Sequence, residues 1–581
     1  MPRPEALPVQ SSPSDLPVLM TPPLTIAIEE SFGWKRASAG RVSVWAKGYQ
    51  RGADLATLLA WFRQHEAAPS PSSIGRFLEG LDGHFAFAAA GPSWGLAAVD
   101  AVRSIPLGWS RVGDAWVVHD QAEALRRRAA LGEAHLNGDA ALAIAMAGYT
   151  VDVATLYHGL HQLGPGECVV FAGAAAPLRH RYYCYRPWRA DKPAYDEARA
   201  RKALAERTLE IVDGMMKSIA GRELVVPLSA GRDSRLIVSA ARHLGYRNVR
   251  CFAYGRGGNF ESVASEAIAA RLNYPWRFVA SGTRFMRRYL ASEQHRGYML
   301  FADTLQSAPF IQDLPQIAHL KATGFIPDDA VLCNGNSGDY ISGAHVVPAM
   351  RREAPGLSAD ERRRRISDSL VAKHFALWRD LATPANRLRI SAMLQASIAR
   401  AGGELGDPRD DYGLYEYAEF QDRQCKFVVT GQRIYEFLGH EWRLPLWAKS
   451  YLDFWEAVPL AGKAEQSLYA AMLAAENWGG VWSGIPVNRK TIRPQWLRPI
   501  RLAAKLAVAP FGRDRWHRFE RRFFQYWMSP TGATAIVPYL RAASDRRGAR
   551  HGMAWLAENY LARHGIGGIG AAAALERQAA A

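Results

Sequence analysis

The sequence predicts a sheet-rich α+β domain followed by a larger α/β domain built on a parallel sheet. Three observations carry this. Between about residues 24 and 187, short alternating or wholly apolar segments are separated by Gly, Pro, Asn and Asp, the pattern of a region with many strands and few helices. Beyond residue 223, apolar strands alternate with helical patterns, which implies a parallel sheet covered on both faces. Two of those strands end in turns of small and acidic residues, at 229–234 and 334–339, and ligands of open parallel sheets bind at such carboxyl ends.

Taken in order, residues 1–22 are rich in Pro and Ser and are expected to form a disordered lead. They carry Glu5 and Asp15 and no apolar core, so no signal peptide is expected. The first domain covers 23–190, with strands at 42–45, 85–88, 95–99 and 114–118. Its helices fall at 54–65, with Asp54 as N-cap, and at 138–146. The second covers 195–500. A helix at 195–216 leads to the strand 224–228, a helix through Leu244, a strand at 249–254, a helix at 261–272, and strands at 276–279 and 330–333. Residues 357–473 read as helical, with Arg362 to Arg365 as a solvated face, and 484–494 as loop. Residues 501–581 form a basic helical extension whose Ala/Gly-rich end is expected to fray.

The 72 Lys and Arg against 55 Asp and Glu leave a formal charge of +17, which favours polyanions, anionic membrane surfaces or acidic small molecules. Cys168, Cys184, Cys251, Cys333 and Cys425 are far apart and form no C-x-x-C pair. A disulfide framework or zinc site is therefore not expected, and a reducing cytoplasm fits. No apolar run reaches the roughly 18 residues of a spanning helix. Basic and aromatic residues alternate over 496–528; they suit either peripheral contact with an anionic inner-membrane surface or, as the favoured reading, a helical subdomain with its aromatics packed inward. His158 and His161 have a metal-like spacing without a third ligand, so no metal is expected there.

The apolar run from Leu224 to Leu228 breaks into Ser229-Ala230-Gly231-Arg232-Asp233-Ser234, and Leu236, Ile237, Ala240 and Leu244 then follow at helical spacing. Small residues in such a turn let backbone N–H groups approach phosphate oxygens, and the helix presents its positive end to them. Asp233 adds a hard oxygen ligand for Mg²⁺. A Walker loop is absent. A nucleophile elbow at 227–231 has Pro227 in its first glycine position, so a hydrolase acting through Ser229 stays open as an alternative, as does a plain βα turn.

Residues 229–234 resemble the S-G-G-x-D-S pyrophosphate loop of the asparagine synthetase family, which includes β-lactam-forming relatives. Further likenesses follow in the family's order. Phe252-Ala-Tyr254-Gly255 stands at its second strand end, followed by Glu261. Residues 334–339, N-G-N-S-G-D, resemble S-G-x-G-x-D, and 441–446, E-W-R-L-P-L, resemble E-x-R-x-P-[FL]. Asn488-Arg489-Lys490 resembles R-x-K. Upstream, 81–87 and 100–107 resemble L-x-G-x-F-A-F and R-D-x-x-G-x-x-P-L, so the likeness runs from about residue 25 to 500.

The resemblance implies an Ntn-hydrolase-like α+β domain and an α/β adenine-nucleotide (PP-loop) synthetase domain. It implies an enzyme that activates a carboxylate with ATP as an acyl-adenylate, releasing pyrophosphate, after which ammonia or an amine displaces AMP. Ser229, Gly231 and Ser234 would hold pyrophosphate, and Asp233 and Asp339 would hold Mg²⁺. Leu228, Tyr254, Asn334 and Gly335 would line the adenosine site, and Lys490 would reach the α-phosphate as a mobile positive charge. The substrates implied are a small-molecule, peptide or sugar carboxylate and an ammonia or amine donor, with no nucleic acid. The chain also departs from the family. Pro2 stands where the glutaminase nucleophile belongs, Cys168 reads as core, and Ala46-Lys47-Gly48-Tyr49 replaces the N-G-E that holds glutamine. No counterpart of the family's S-D-x-E segment precedes Leu81, so no glutaminase activity is expected, and the ammonia could come from a partner glutaminase. Asn336 and Tyr340 replace the residues from which the family draws its base, and asparagine takes no proton at neutral pH. A non-catalytic, membrane-associated scaffold of the same fold is the remaining alternative.

Overall fold

The computed structural model describes residues 24–51, 54–65, 68–172, 176–352, 355–487, 492, 494–528 and 531–567. The N-terminal strands are β1 (Leu24–Ile26), β2 (Lys35–Ala39), β3 (Val42–Arg51), β4 (Asp82–Ala90), β5 (Trp94–Val99), β6 (Gly108–Val112), β7 (Ala115–His119), β8 (Leu160–Gln162), β9 (Glu167–Ala172) and β10 (Leu178–Arg181). They form a four-stranded sheet in the order β1-β7-β6-β8 and a six-stranded sheet in the order β10-β9-β5-β4-β3-β2.

Strand alternation sorts the two faces of the larger sheet. Phe85, Phe87 and Ala89 of β4 pack with Leu58 and Phe62 of α1 (Leu55–Arg63) and with Ile74 and Leu78 of α2 (Pro71–Glu79). Ala86, Ala88 and Ala90 face the other way, toward Leu24, Ile26, Trp109 and Val118 of the smaller sheet. Small side chains bring the sheets close, and a Cβ on Gly95 would stand 1.7 Å from Leu24 Cδ2. The far face of the smaller sheet is covered by α3 (Ala122–Arg128) and α4 (Gly138–Ala147). The layers therefore run helices, sheet, sheet, helices. Asp54 caps α1, its Oδ1 accepting from Thr57 N at 2.8 Å.

The second region starts with α5 (Glu197–Ser218), then β11 (Leu224–Pro227), α6 (Asp233–His243), β12 (Val249–Gly255), α7 (Phe260–Arg271) and β13 (Trp276–Ala280). Three helices, α8 (Thr283–Leu290), α9 (Glu293–Phe301) and α10 (Leu314–Ala322), lead to β14 (Val331–Cys333), and α11 (Gly338–Ile341) follows it. The sheet is parallel throughout, in the order β13-β12-β11-β14-β15, where β15 is Glu441–Arg443. Val225, Val226, Phe252 and Leu332 have no exposed surface, as expected of strands covered on both faces. From β11 the chain steps outward to β12 and β13, then returns to place β14 on the opposite side. The topological switch point lies between β11 and β14, where such sheets bind ligands.

The segment read as wholly helical contains β15 as well as α12 (Ala359–His374), α13 (Pro384–Arg400) and α14 (Asp411–Glu419), the last running into a π-helical stretch, Phe420–Val428. The three-residue β15 is too short to carry a period of its own; pairing with β14 makes it a strand. Arg362, expected on a solvated face, is instead buried. Its Nη2 lies 2.6 Å from Asp411 Oδ1 and 2.9 Å from the Gly406 carbonyl. In the C-terminal region, Leu497, Trp516 and Phe524 form a small core, whereas Trp496, Ile500, Leu502, Leu506 and Phe511 are exposed. Its aromatics thus divide between the two arrangements the sequence allowed. Among the described residues, no helix is long and apolar enough to cross a membrane.

Removing one partner of a buried ion pair strands the other charge, which costs about 3–5 kcal/mol. Arg362→Ala should lower the unfolding free energy by that order, seen as a lower urea midpoint at unchanged slope. Arg363→Ala, whose partner Asp360 is exposed, should leave the midpoint near wild type. Urea unfolding followed by circular dichroism measures both.

Candidate functional site

The chain leaves β11 through buried Leu228 into the turn before α6. That turn is held by its own side chains. Ser229 N donates to Ser234 Oγ (3.1 Å), Gly231 N to Ser229 Oγ (3.1 Å), and Ala230 N to Glu261 Oε2 on α7 (3.1 Å). Arg235, the next residue along α6, is fully buried. It donates to the carbonyls of Ala230 (2.8 Å), Val481 (3.2 Å), Ile485 (3.0 Å) and Pro486 (3.0 Å). It ties residues 481–486 to the turn instead of facing a ligand. Arg232 donates to Gln466 Oε1 at 2.9 Å.

The turn after β14 meets this one. A Cβ on Gly335 would stand 2.5 Å from Ser234 N, and one on Gly338 would stand 2.7 Å from Asp233 Oδ1. Only glycine permits contacts this close. Asp339 N donates to Asp233 Oδ2 at 2.9 Å, and Tyr469 OH to Asp233 Oδ1 at 3.2 Å. Burial, then the charge of Asp339, pushes the Asp233 carboxyl up to about 8, because neither favours a second negative charge there. Asp339 itself is half-exposed. Burial pushes its carboxyl up, but the hydrogen bond and charge of His345 prevail and hold it below the usual range.

Leu228, Tyr254 and Asn334 stand at the ends of β11, β12 and β14. Tyr254 OH bonds Asp313 and accepts from Gln312 Nε2 at 3.1 Å; Asn334 Nδ2 donates to Tyr435 OH at 3.1 Å. Gly335 packs on the Ser234 backbone. Thus Leu228, Ser229, Gly231, Asp233, Ser234, Tyr254, Asn334, Gly335 and Asp339 converge on one switch point. Lys490, with Asn488 and Arg489, lies outside the described residues; its chain neighbours Ile485 and Pro486 are anchored to the turn by Arg235.

Sequence reasoning missed a group of residues behind Asp339. His345 Nε2 lies 3.4 Å from Asp339 Oδ2, and His345 Nδ1 bonds Glu419 Oε1. Glu419, at the end of α14, has no exposed side-chain surface. It also meets Lys373 Nζ (3.2 Å), His374 Nε2 (2.9 Å) and Gln424 Nε2 (3.1 Å). Burial would raise the Glu419 carboxyl, yet the charges and hydrogen bonds of His374 and His345 hold it well below its usual range. Burial pushes His374 down to about 4 despite Glu419. These residues come from the turn after α11, from α12 and from α14 with its π-helical continuation, with no common motif, so only folding reveals them.

Where the resemblance would put the glutamine-holding segment, a lysine is buried. Lys47 Nζ lies 3.0 Å from Glu436 Oε2, both side chains buried, and Arg433 meets the same carboxylate at 3.2 Å. Cys168 is buried in β9, its thiol pushed up to about 12 by burial and then by Glu167. His161 stacks on Trp109 at 5.3 Å. Among the described residues no group of three or more His, Cys, Asp or Glu could hold a metal ion.

No family model and no curated protein matches the chain. Among solved structures, it is similar to a glutamine phosphoribosylpyrophosphate amidotransferase from B. subtilis complexed with ADP and GMP, at 14% identity and a TM-score of 0.18, over 42% of this chain and 71% of that one. It is also similar to a structure described as the allosteric regulatory enzyme of purine biosynthesis, at 13% identity and a TM-score of 0.17, over 42% of this chain and 61% of that one. At these scores the likenesses carry no argument, and the site is read from its own geometry.

The depressed His374 pKa has a consequence for stability. Unfolded, the imidazole titrates near 6.5, and folded near 4. Between those values the unfolded chain binds the extra proton, so this contribution is full above pH 6.5 and is lost as pH falls toward 4. The difference is on the order of 3 kcal/mol. His374→Gln should flatten that part of the acid limb in a series of urea midpoints between pH 7 and 4.

Proposed function

We propose that the chain is an ATP-dependent carbon–nitrogen ligase of the asparagine synthetase type. It joins a carboxylate to ammonia or an amine through an acyl-adenylate, and has no glutaminase activity of its own. One observation carries the reading: Asp233 and the Asp339 backbone are hydrogen-bonded at 2.9 Å across the switch point of a parallel sheet, beside a small-residue turn at a helix N-terminus.

Two carboxylates close enough to raise the pKa of one of them fit a divalent cation, which relieves their repulsion. Asp233 and Asp339 would hold Mg²⁺, with phosphate and water oxygens completing its shell. The cation would neutralise charge on the transferring phosphates. Ser229, Gly231, Ser234 and the first turn of α6 would bind the pyrophosphate of the substrate ATP, and Leu228, Tyr254, Asn334 and Gly335 would border the nucleoside. Lys490 would meet the α-phosphate while the substrate carboxylate attacks it. His345, held by Glu419, orients the Asp339 carboxylate. The nucleophile then attacks the acyl carbon and AMP leaves.

Burial of Cys168 and the Lys47–Glu436 pair support the loss of glutaminase chemistry. The second reading, a hydrolase acting through Ser229, is disfavoured: Ser229 Oγ lies 3.3 Å from Ser234 Oγ and accepts from Gly231 N, and no histidine is bonded to it among the described residues. The nucleophile source would be free ammonia, a partner glutaminase or an amine on the substrate.

With Mg²⁺ and a panel of carboxylates, the protein should exchange labelled pyrophosphate into ATP. Asp233→Asn should reduce that exchange by about 100-fold or more, the scale of losing a preorganised electrostatic contact. Full activity in Asp233→Asn, or no exchange with any carboxylate, would refute the reading. Glutamine incubated with the protein should yield no glutamate above a buffer control.

A further inference from the structure

Away from the carboxylate pair, a cavity of about 390 Å³ opens between the helix Arg513–Phe523, the turn at 545–552 and Arg379. Seven arginines line it, among them Arg518, Arg521, Arg546 and Arg550, against one carboxylate, Asp545. Asp545 is already engaged: Arg547, outside the lining, grips it with Nη2 at 2.7 Å and Nε at 3.0 Å. Three lining guanidiniums are turned toward neutral carbonyls. Arg379 donates to Arg546 O (2.6 Å), Arg522 to Ala543 O (2.8 Å) and Arg550 to Lys373 O (2.6 Å). Arg379 also has Asp380 alongside at 3.7 Å. Among the described residues, Arg515, Arg518, Arg521 and Arg546 have no carboxylate partner. Burial and then Arg521 lower the pKa of Arg550, so the like charges act on one another.

The remaining wall mixes polar Gln525, Tyr526 and His551 with the partly exposed rings of Phe519 and Phe523. A concavity with this much positive charge attracts anions, and guanidiniums grip carboxylates in paired bonds. A lone phosphate, with a charge of about two, matches neither the number of arginines nor the phenylalanine rings. A bilayer is flat and does not enter a concave site. The volume is that of a ligand-sized pocket, room for a few amino-acid residues.

We propose that this cavity binds a short acidic peptide segment, its carboxylates on the arginines and its apolar side chains against Phe519 and Phe523. Through the Arg550–Lys373 bond the cavity adjoins the residues around Glu419. The binding site stands whether or not the ligase reading holds, because it needs neither ATP nor Asp233.

The test uses the full chain and a fluorescein-labelled octapeptide of alternating Glu with Leu or Phe, read by fluorescence anisotropy. Its Gln-for-Glu counterpart is measured alongside. The acidic peptide should bind about 10-fold or more tightly than the neutral one, and more weakly as salt rises. The Arg518→Ala/Arg521→Ala double variant should lose about 10-fold in affinity. Arg521→Lys, which keeps the charge, should stay within about 3-fold, and circular dichroism confirms that each variant is folded. Pyrophosphate exchange measured on the same variants should be unchanged without peptide. Equal binding of the two peptides, or wild-type affinity in the double variant, overturns the proposal. Displacement of the peptide by low concentrations of inorganic phosphate, or by phosphatidylglycerol vesicles, would also overturn it, assigning the cavity to a phosphate or to a lipid surface instead.

Discussion

The contact between Gly335 and the Ser234 backbone is the constraint on which the site depends. Neighbouring parallel strands lie about 4.8 Å apart, so the turns that end β11 and β14 must pass within van der Waals reach. A Cβ at Gly335 would fall 2.5 Å from Ser234 N. Its absence lets the turns close, which puts the Asp339 amide on the Asp233 carboxylate. The two turns meet in a seam at the switch point, where open sheets bind ligands, with two carboxylates at its edge. The surrounding bonds serve that seam. Glu261 takes the Ala230 amide, and Arg235 collects four carbonyls from the turn and from residues 481–486.

Much of this was legible in the sequence, for a physical reason. Buried strands and a small-residue turn leave local marks, so β11, β12, β13 and β14 are recognisable from apolar runs and the turns from their Gly, Ser and Asp. Arg235 was not legible as a clamp, since three of its four partners are carbonyls some 250 positions away that any residue could supply. Arg362 was misread because a run of arginines looks solvated, while the Asp411 that buries its head lies on another helix. β15 escaped because three residues carry no period, and its identity as a strand comes from β14. Glu419, His345 and His374 escaped because a buried charge is defined by its neighbours in space.

Those neighbours explain how a carboxylate survives at zero exposure. A single buried charge is prohibitive, yet Glu419 accepts from His345, His374, Lys373 and Gln424. Through His345 this network reaches Asp339 and lowers its pKa, while Asp233, buried and facing the Asp339 charge, is raised despite Arg232. The two aspartates are thus driven apart in proton affinity by what stands behind each, a division typical of sites that manage charge.

The N-terminal layers enter the same argument through Lys47. On β3, Lys47 is buried against Glu436, which also pairs with Arg433 and accepts from Trp442 Nε1 at 3.0 Å. Trp442 belongs to β15, the edge of the parallel sheet. The Lys47–Glu436 contact therefore joins the two regions of the chain. It plants a cation from one sheet onto the helix that leads into the last strand of another. Burying an ion pair is costly unless its geometry is well matched, and here three partners share one carboxylate. The contact pins that helix beside β15, and β15 pairs with β14, the strand that ends in the Gly335 turn.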